Sequence, residues 1–119
     1  MGAILLLISI FLKRLIGKVA WVYTSLLLLF KGNYKEWADW NKQLAIANDR
    51  YGNVLLKYAS NMYVIEKDGY KFGNGKETIS SVIGKNLVLN KLKKTGKIIN
   101  SILNYLDSNH SIESIDNNV

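Results

Sequence analysis

A chain of 119 residues with no cysteine has neither a disulfide framework nor a thiolate metal site, so a single small core must hold it together. Proline is absent too, which leaves long helices few breakers. The net charge of +7 argues against acidic-surface chemistry and for anionic partners, lipid or nucleic acid.

The charge is unevenly spread. Residues 1–35 carry five basic side chains (Lys13, Arg14, Lys18, Lys31, Lys35) and no acid, and residues 71–97 carry seven lysines against Glu77 alone. Between them lies a nearly balanced stretch, and residues 98–119 hold three acids and no base.

Residues 3–12 and 19–30 are two uncharged, mostly apolar runs separated by Lys13, Arg14 and Lys18. Neither reaches the ~20 residues of a simple membrane span. Each charge at the middle of a joined span costs about 2.5–3.5 kcal/mol on insertion scales. On a helical wheel Ser9, Lys13, Arg14, Gly17, Lys18, Thr24 and Ser25 share one half-turn. The opposite half is apolar: Leu5, Ile8, Leu12, Leu15, Val19, Val22, Tyr23, Leu26 and Phe30. The segment therefore reads as a basic amphipathic helix that meets a membrane, in the interface or tilted into it. Expected membrane contacts are Leu5, Ile8, Leu12, Lys13, Arg14, Leu15, Lys18, Val19, Trp21, Val22, Leu26 and Phe30. A buried core helix is the bland alternative. The charges follow the apolar run instead of preceding it, unlike a signal peptide, and Leu6 breaks the myristoylation pattern.

Lys31-Gly32-Asn33 predicts a helix stop. A second helix from Tyr34 carries Trp37, Trp40, Leu44, Ala47, Tyr51, Val54 and Tyr58 at alternating spacings of three and four. That stripe predicts antiparallel pairing with the first helix, or self-association. Gly52 within it predicts a kink or a close helix contact.

Residues 62–74 are rich in strand formers, and Asp68-Gly69 is a strong turn signal, so a small β-hairpin or an ordered loop is expected there. Thr78 is a predicted N-cap for a helix through Asn86; residues 87–94 are helix or loop, and Thr95-Gly96 punctuates before an amphipathic Lys97–Leu106 helix. Asp107 to His110 ends it, one more turn follows, and the last residues are expected to fray.

Few motifs carry chemistry. Gly73-Asn74-Gly75-Lys76 fails the phosphate-loop pattern, with Tyr70 where its first glycine belongs and Glu77 where a hydroxyl belongs. His110, the sole histidine, follows Asp107 by three residues. The pair suits general-base work, but no nucleophile is readable and a helix-cap role is favoured. Asp49 and Arg50 are expected to pair with the lysine block. Lys85, Lys91, Lys93, Lys94 and Lys97, interleaved with apolar residues, form a candidate contact for an anionic partner.

From Asp49 onward the chain resembles a group of small phage and prophage proteins of unknown role. The matching residues are Asp49-Arg50, Asn53, Gly73, Glu77-Thr78-Ile79-Ser80, Gly84-Lys85, Leu106-Asp107 and His110. Ser111 departs from the pattern, which usually has cysteine there. The resemblance implies phage origin and no known catalysis.

The expected fold is mainly α. A long N-terminal amphipathic or membrane helix occupies 1–31. A small helical domain over 34–119 holds an antiparallel second helix, a hairpin or ordered loop near 62–74, and short C-terminal helices. The expected function is non-enzymatic action at a host inner membrane, as a lysis accessory or in superinfection exclusion. The alternative is a basic helical module binding nucleic acid through Lys85–Lys97. The partners expected are an anionic lipid bilayer, a second copy, or an envelope or phage protein, with nucleic acid ranked below; no cofactor and no metal are expected.

Overall fold

The computed structural model describes residues 1–119. It is mainly helical and contains no sheet: α1 (Gly2–Phe30), α2 (Tyr34–Leu55), α3 (Lys57–Tyr63), α4 (Ile79–Val88), α5 (Lys94–Leu106) and α6 (His110–Glu113). Two compact units divide at residues 43/44, inside α2.

In the first unit, α1 stops where its sequence says it should. Gly32 takes a left-handed φ of +70°. The Asn33 amide then reaches back to Leu28 O (2.9 Å) and the Gly32 amide to Leu29 O (3.0 Å). This pair of bonds satisfies carbonyls that the helix end leaves open. Asn33 also opens α2, donating from Nδ2 to Glu36 Oε2 at 2.6 Å. The chain thus reverses within three residues. Trp37 Nε1 donates to Ser25 Oγ (3.0 Å) and Trp21 Nε1 to Asn41 Oδ1 (2.9 Å). Those pairs progress in opposite senses along the two helices, as in an antiparallel hairpin. No helix is long and apolar enough to cross a membrane.

The heptad stripe holds only at its start. Trp37 and Trp40 are half-buried. In the second unit Leu44, Ala47, Tyr51 and Val54 are exposed, and Tyr58 lies beyond α2, in α3. There α2 uses a different face, that of Asp49, Gly52 and Asn53. Gly52 makes the expected close contact: a β-carbon there would stand 2.9 Å from Ile79 Cδ1.

The second unit is built on six buried apolar residues, Val64, Ile65, Phe72, Val82, Ile83 and Leu92, with Tyr70, Ile79, Leu87, Ile99 and Leu103 packed around them. The hairpin near 62–74 does not form. Residues 62 and 63 finish α3, and Ile65 pairs instead with Leu92, through Glu66 N to Lys91 O (2.8 Å) and Lys93 N to Val64 O (2.9 Å). The Asp68-Gly69 turn is present, closed by Gly69 N to Glu66 O (2.9 Å), but the chain after it is held by asparagines in place of a partner strand. Asn61 exchanges two hydrogen bonds with the Phe72 backbone, and Asn86 does the same with Tyr70. Asn53 receives Gly73 N and donates to Asn74 O and Glu77 O. A side-chain amide offers the donor and acceptor that a neighbouring strand would.

Thr78 caps α4 as expected, accepting from Ser81 N at 3.1 Å. Gly96 does not punctuate: it lies in the first turn of α5, packed against the Val64 carbonyl oxygen. The C-terminus does not fray either, since Asp116 N donates to Ser81 Oγ (2.9 Å) and Lys85 Nζ reaches Val119 O (3.5 Å).

Candidate functional site

Three features of the chain stand out. The first is the outer half of α1. The nine residues of its apolar wheel half are each 47% or more exposed, up to 86% at Phe30. Of its other half, Ser25 is buried and Gly17, Thr24 and Leu28 are half-buried, while Ser9, Lys13, Arg14 and Lys18 are exposed. Towards the hairpin end of α1, two tryptophans supply N–H donors that Ser25 and Asn41 accept. Trp21 is therefore hydrogen-bonded within the hairpin and is less suited to a headgroup anchor.

The second feature is the lysine block, which does not form one surface. Lys85 turns inward to Glu77 (2.6 Å), Lys91 pairs with Asp68 (2.7 Å), and Lys93 donates to Met62 O (2.8 Å). The Lys91 hydrogen bond holds the Asp68 carboxyl below its ordinary range. Lys94 and Lys97 are exposed on α5.

The third is a polar network at the start of α4, where the phage-like motif residues converge. Asp49 does not meet the lysines. Its Oδ1 accepts Ile79 N (2.8 Å) and its Oδ2 accepts Ser80 Oγ (3.3 Å). Ser80 Oγ also lies 3.1 Å from His110 Nε2, and His110 Nδ1 lies 3.1 Å from Asp107 Oδ2. Arg50 stays exposed. The Ser80–His110–Asp107 order matches that of a hydrolytic triad. Its surroundings do not: Ser80 is buried, its hydroxyl is shared with Asp49, and the neighbouring helix-start amides of Ile79 and Ser81 already have acceptors. An oxyanion needs free donors of that kind. The cluster instead joins α2, α4 and the turn before α6. No group of three or more His, Cys, Asp or Glu side chains could hold a metal ion.

Beside it Glu77, 1% exposed, accepts from Ser81 Oγ (2.6 Å), Tyr70 Oη (2.8 Å) and Lys85. Lys85 Nζ sits 4.4 Å from the Tyr70 ring centroid. Burial disfavours the Lys85 ammonium, but its bonds to Glu77 and Tyr70 outweigh this and raise it above the ordinary 10.5. Burial, then the bond to Glu77, raises the Tyr70 phenol above 10.0. In both groups folding favours the protonated form. Their contribution to stability is complete below about pH 10 and is lost as pH rises through the raised folded values. Thermal unfolding followed by circular dichroism should show a midpoint that falls above about pH 10, and Tyr70→Phe should remove part of that fall.

Ser111 is fully buried and its hydroxyl has no hydrogen-bond partner. A buried orphan hydroxyl costs about 1–3 kcal/mol. Ser111→Ala is expected to stabilise the chain by about 1 kcal/mol in denaturant titration.

Tyr70, Ser81, Asn61 and Asn86 belong to these networks, yet no local pattern in the sequence marks them. No protein-family model, curated protein or solved structure matches the chain.

Proposed function

We propose that the chain is a small phage-type protein that acts without catalysis by lying on an anionic membrane through the outer face of α1. One observation carries this reading: the apolar half of a 29-residue helix is exposed along its whole length, from Leu5 to Phe30. A continuous apolar face of that length is far beyond what a lone soluble helix pair exposes. Lys13, Arg14, Lys18, Lys31 and Lys35, with no acid before Glu36, suit acidic headgroups. If the nine side chains enter the interface, their transfer supplies on the order of 10 kcal/mol. Interfacial binding needs no span, and the central charges that oppose a span favour it. The phage-like motif supports placement at a host inner membrane, in lysis or in exclusion of a second phage.

Co-sedimentation with vesicles tests this. The full chain should pellet with vesicles of phosphatidylcholine and phosphatidylglycerol, and binding to phosphatidylcholine alone should be weaker. Raising salt should narrow that difference. A chain that stays in the supernatant with both vesicle types contradicts the proposal.

A further inference from the structure

The sequence makes α5 a simple amphipathic helix, with Ile98, Ile99, Ile102, Leu103, Tyr105 and Leu106 apolar. The structure splits that set. Ile99 and Leu103 pack on the core, whereas Ile98, Ile102, Tyr105 and Leu106 face outward, Tyr105 at 90% and Leu106 at 76% exposure. These four occupy positions i, i+4, i+7 and i+8, one continuous stripe. Lys94 and Lys97 are exposed at the start of the same helix. A helix needing only to close a core would carry polar residues on that side.

Charge identifies the occupant. Between Glu77 and Asp107 there is no acidic residue, and Glu77 itself is buried against Lys85. The outer side of α5 is therefore apolar, with Lys94 and Lys97 exposed at its start and Asp107 exposed just past its end. A second copy carries the same net charge of +7, and repulsion between two such chains disfavours a two-fold pairing, although that pairing would set Lys94 and Lys97 near the other copy's Asp107. Nucleic acid offers phosphates but no apolar layer for two isoleucines and a leucine. A bilayer of anionic phospholipid offers both, charge at the headgroups and hydrocarbon just below. Tyr105 suits that boundary, with an apolar ring and a polar tip.

We infer that the outer face of α5, from Lys94 to Leu106, is a second membrane-binding surface that docks on anionic phospholipid. It deepens the reading given for α1 by placing a lipid contact in the other compact unit, and the two contacts are separable by experiment.

The absence of cysteine allows single-site labelling of the full chain. Tyr105→Cys and, separately, Phe11→Cys each carry an environment-sensitive fluorophore at an exposed position. With vesicles containing phosphatidylglycerol, the label on Tyr105→Cys should shift to the blue and become shielded from an aqueous quencher. Ile102→Asp with Leu106→Asp in that labelled chain should lower the fraction responding roughly tenfold or more. If the Phe11→Cys label responds and the Tyr105→Cys label does not, the α5 inference fails and the α1 proposal stands. If only the Tyr105→Cys label responds, the reverse holds. A Tyr105→Cys shift that grows with protein concentration in the absence of vesicles indicates self-association and overturns the inference. An equal response to phosphatidylcholine alone overturns its electrostatic part.

Discussion

Lys85→Met is expected to cost about 3–5 kcal/mol of unfolding free energy, the largest effect of any single substitution outside the hydrophobic core. Lys85 is the sole cation on Glu77, and the Glu77 side chain is fully buried. Removing the ammonium leaves a carboxylate with only two hydroxyl donors, from Tyr70 and Ser81. The loss is large because a buried unpaired charge is more costly than the pair is favourable. The second unit has about 75 residues, for which a total stability of about 4–11 kcal/mol is typical. The variant should therefore sit close to its unfolding transition at room temperature. Glu77→Leu combined with Lys85→Met should recover part of the loss, because no charge is then stranded. Recovery should be incomplete, since Tyr70 Oη and Ser81 Oγ lose their acceptor. Urea titration of the two single variants and the double variant measures each quantity.

Gly84→Ala should destabilise by about 2 kcal/mol or more, although alanine favours a helix interior over glycine by about 1 kcal/mol. A β-carbon at Gly84 would overlap the Ser111 carbonyl oxygen, with the Ser111 carbonyl carbon 2.7 Å away. These are backbone atoms, so no side-chain rotation relieves the clash. To make room, α6 must shift, and with it His110, whose ring meets Ser80. Gly17→Ala is the matched control. A β-carbon there meets only Lys13 Cγ, at 3.8 Å, so the ordinary gain from alanine should appear. Opposite signs for the two variants in chemical denaturation would locate the effect in the α4–α6 contact.

What could be read from the chain follows the range of the interactions. The α1 stop at Lys31-Gly32-Asn33 and the Thr78 cap are set by residues within one turn, and both form as expected. The strand-like stretch at 62–74 misleads because its turn signal is local while its real partners are remote. Asn53, Asn61 and Asn86 replace a partner strand, and no spacing rule connects them to that loop. The Asp107–His110 pair is legible from its three-residue spacing, whereas its meeting with Ser80 and Asp49 is not, because that meeting spans thirty residues of chain on either side of Ser80. Lysines counted as one block separate once their neighbours are known: Lys85 completes a buried pair, while Lys94 and Lys97 stay outside. The wheel of α1 was legible in full. The indole bonds from Trp37 and Trp21 across the hairpin are not legible, because they join residues 12 and 20 positions apart.

Fractionation of cells expressing the full chain tests most directly whether the outer face of α1 meets a membrane. The chain should sediment with membranes and be released by detergent, and Leu15→Asp with Val19→Asp, both on the exposed apolar half, should move it to the soluble fraction. Recovery of the unaltered chain in the supernatant without detergent would contradict the account.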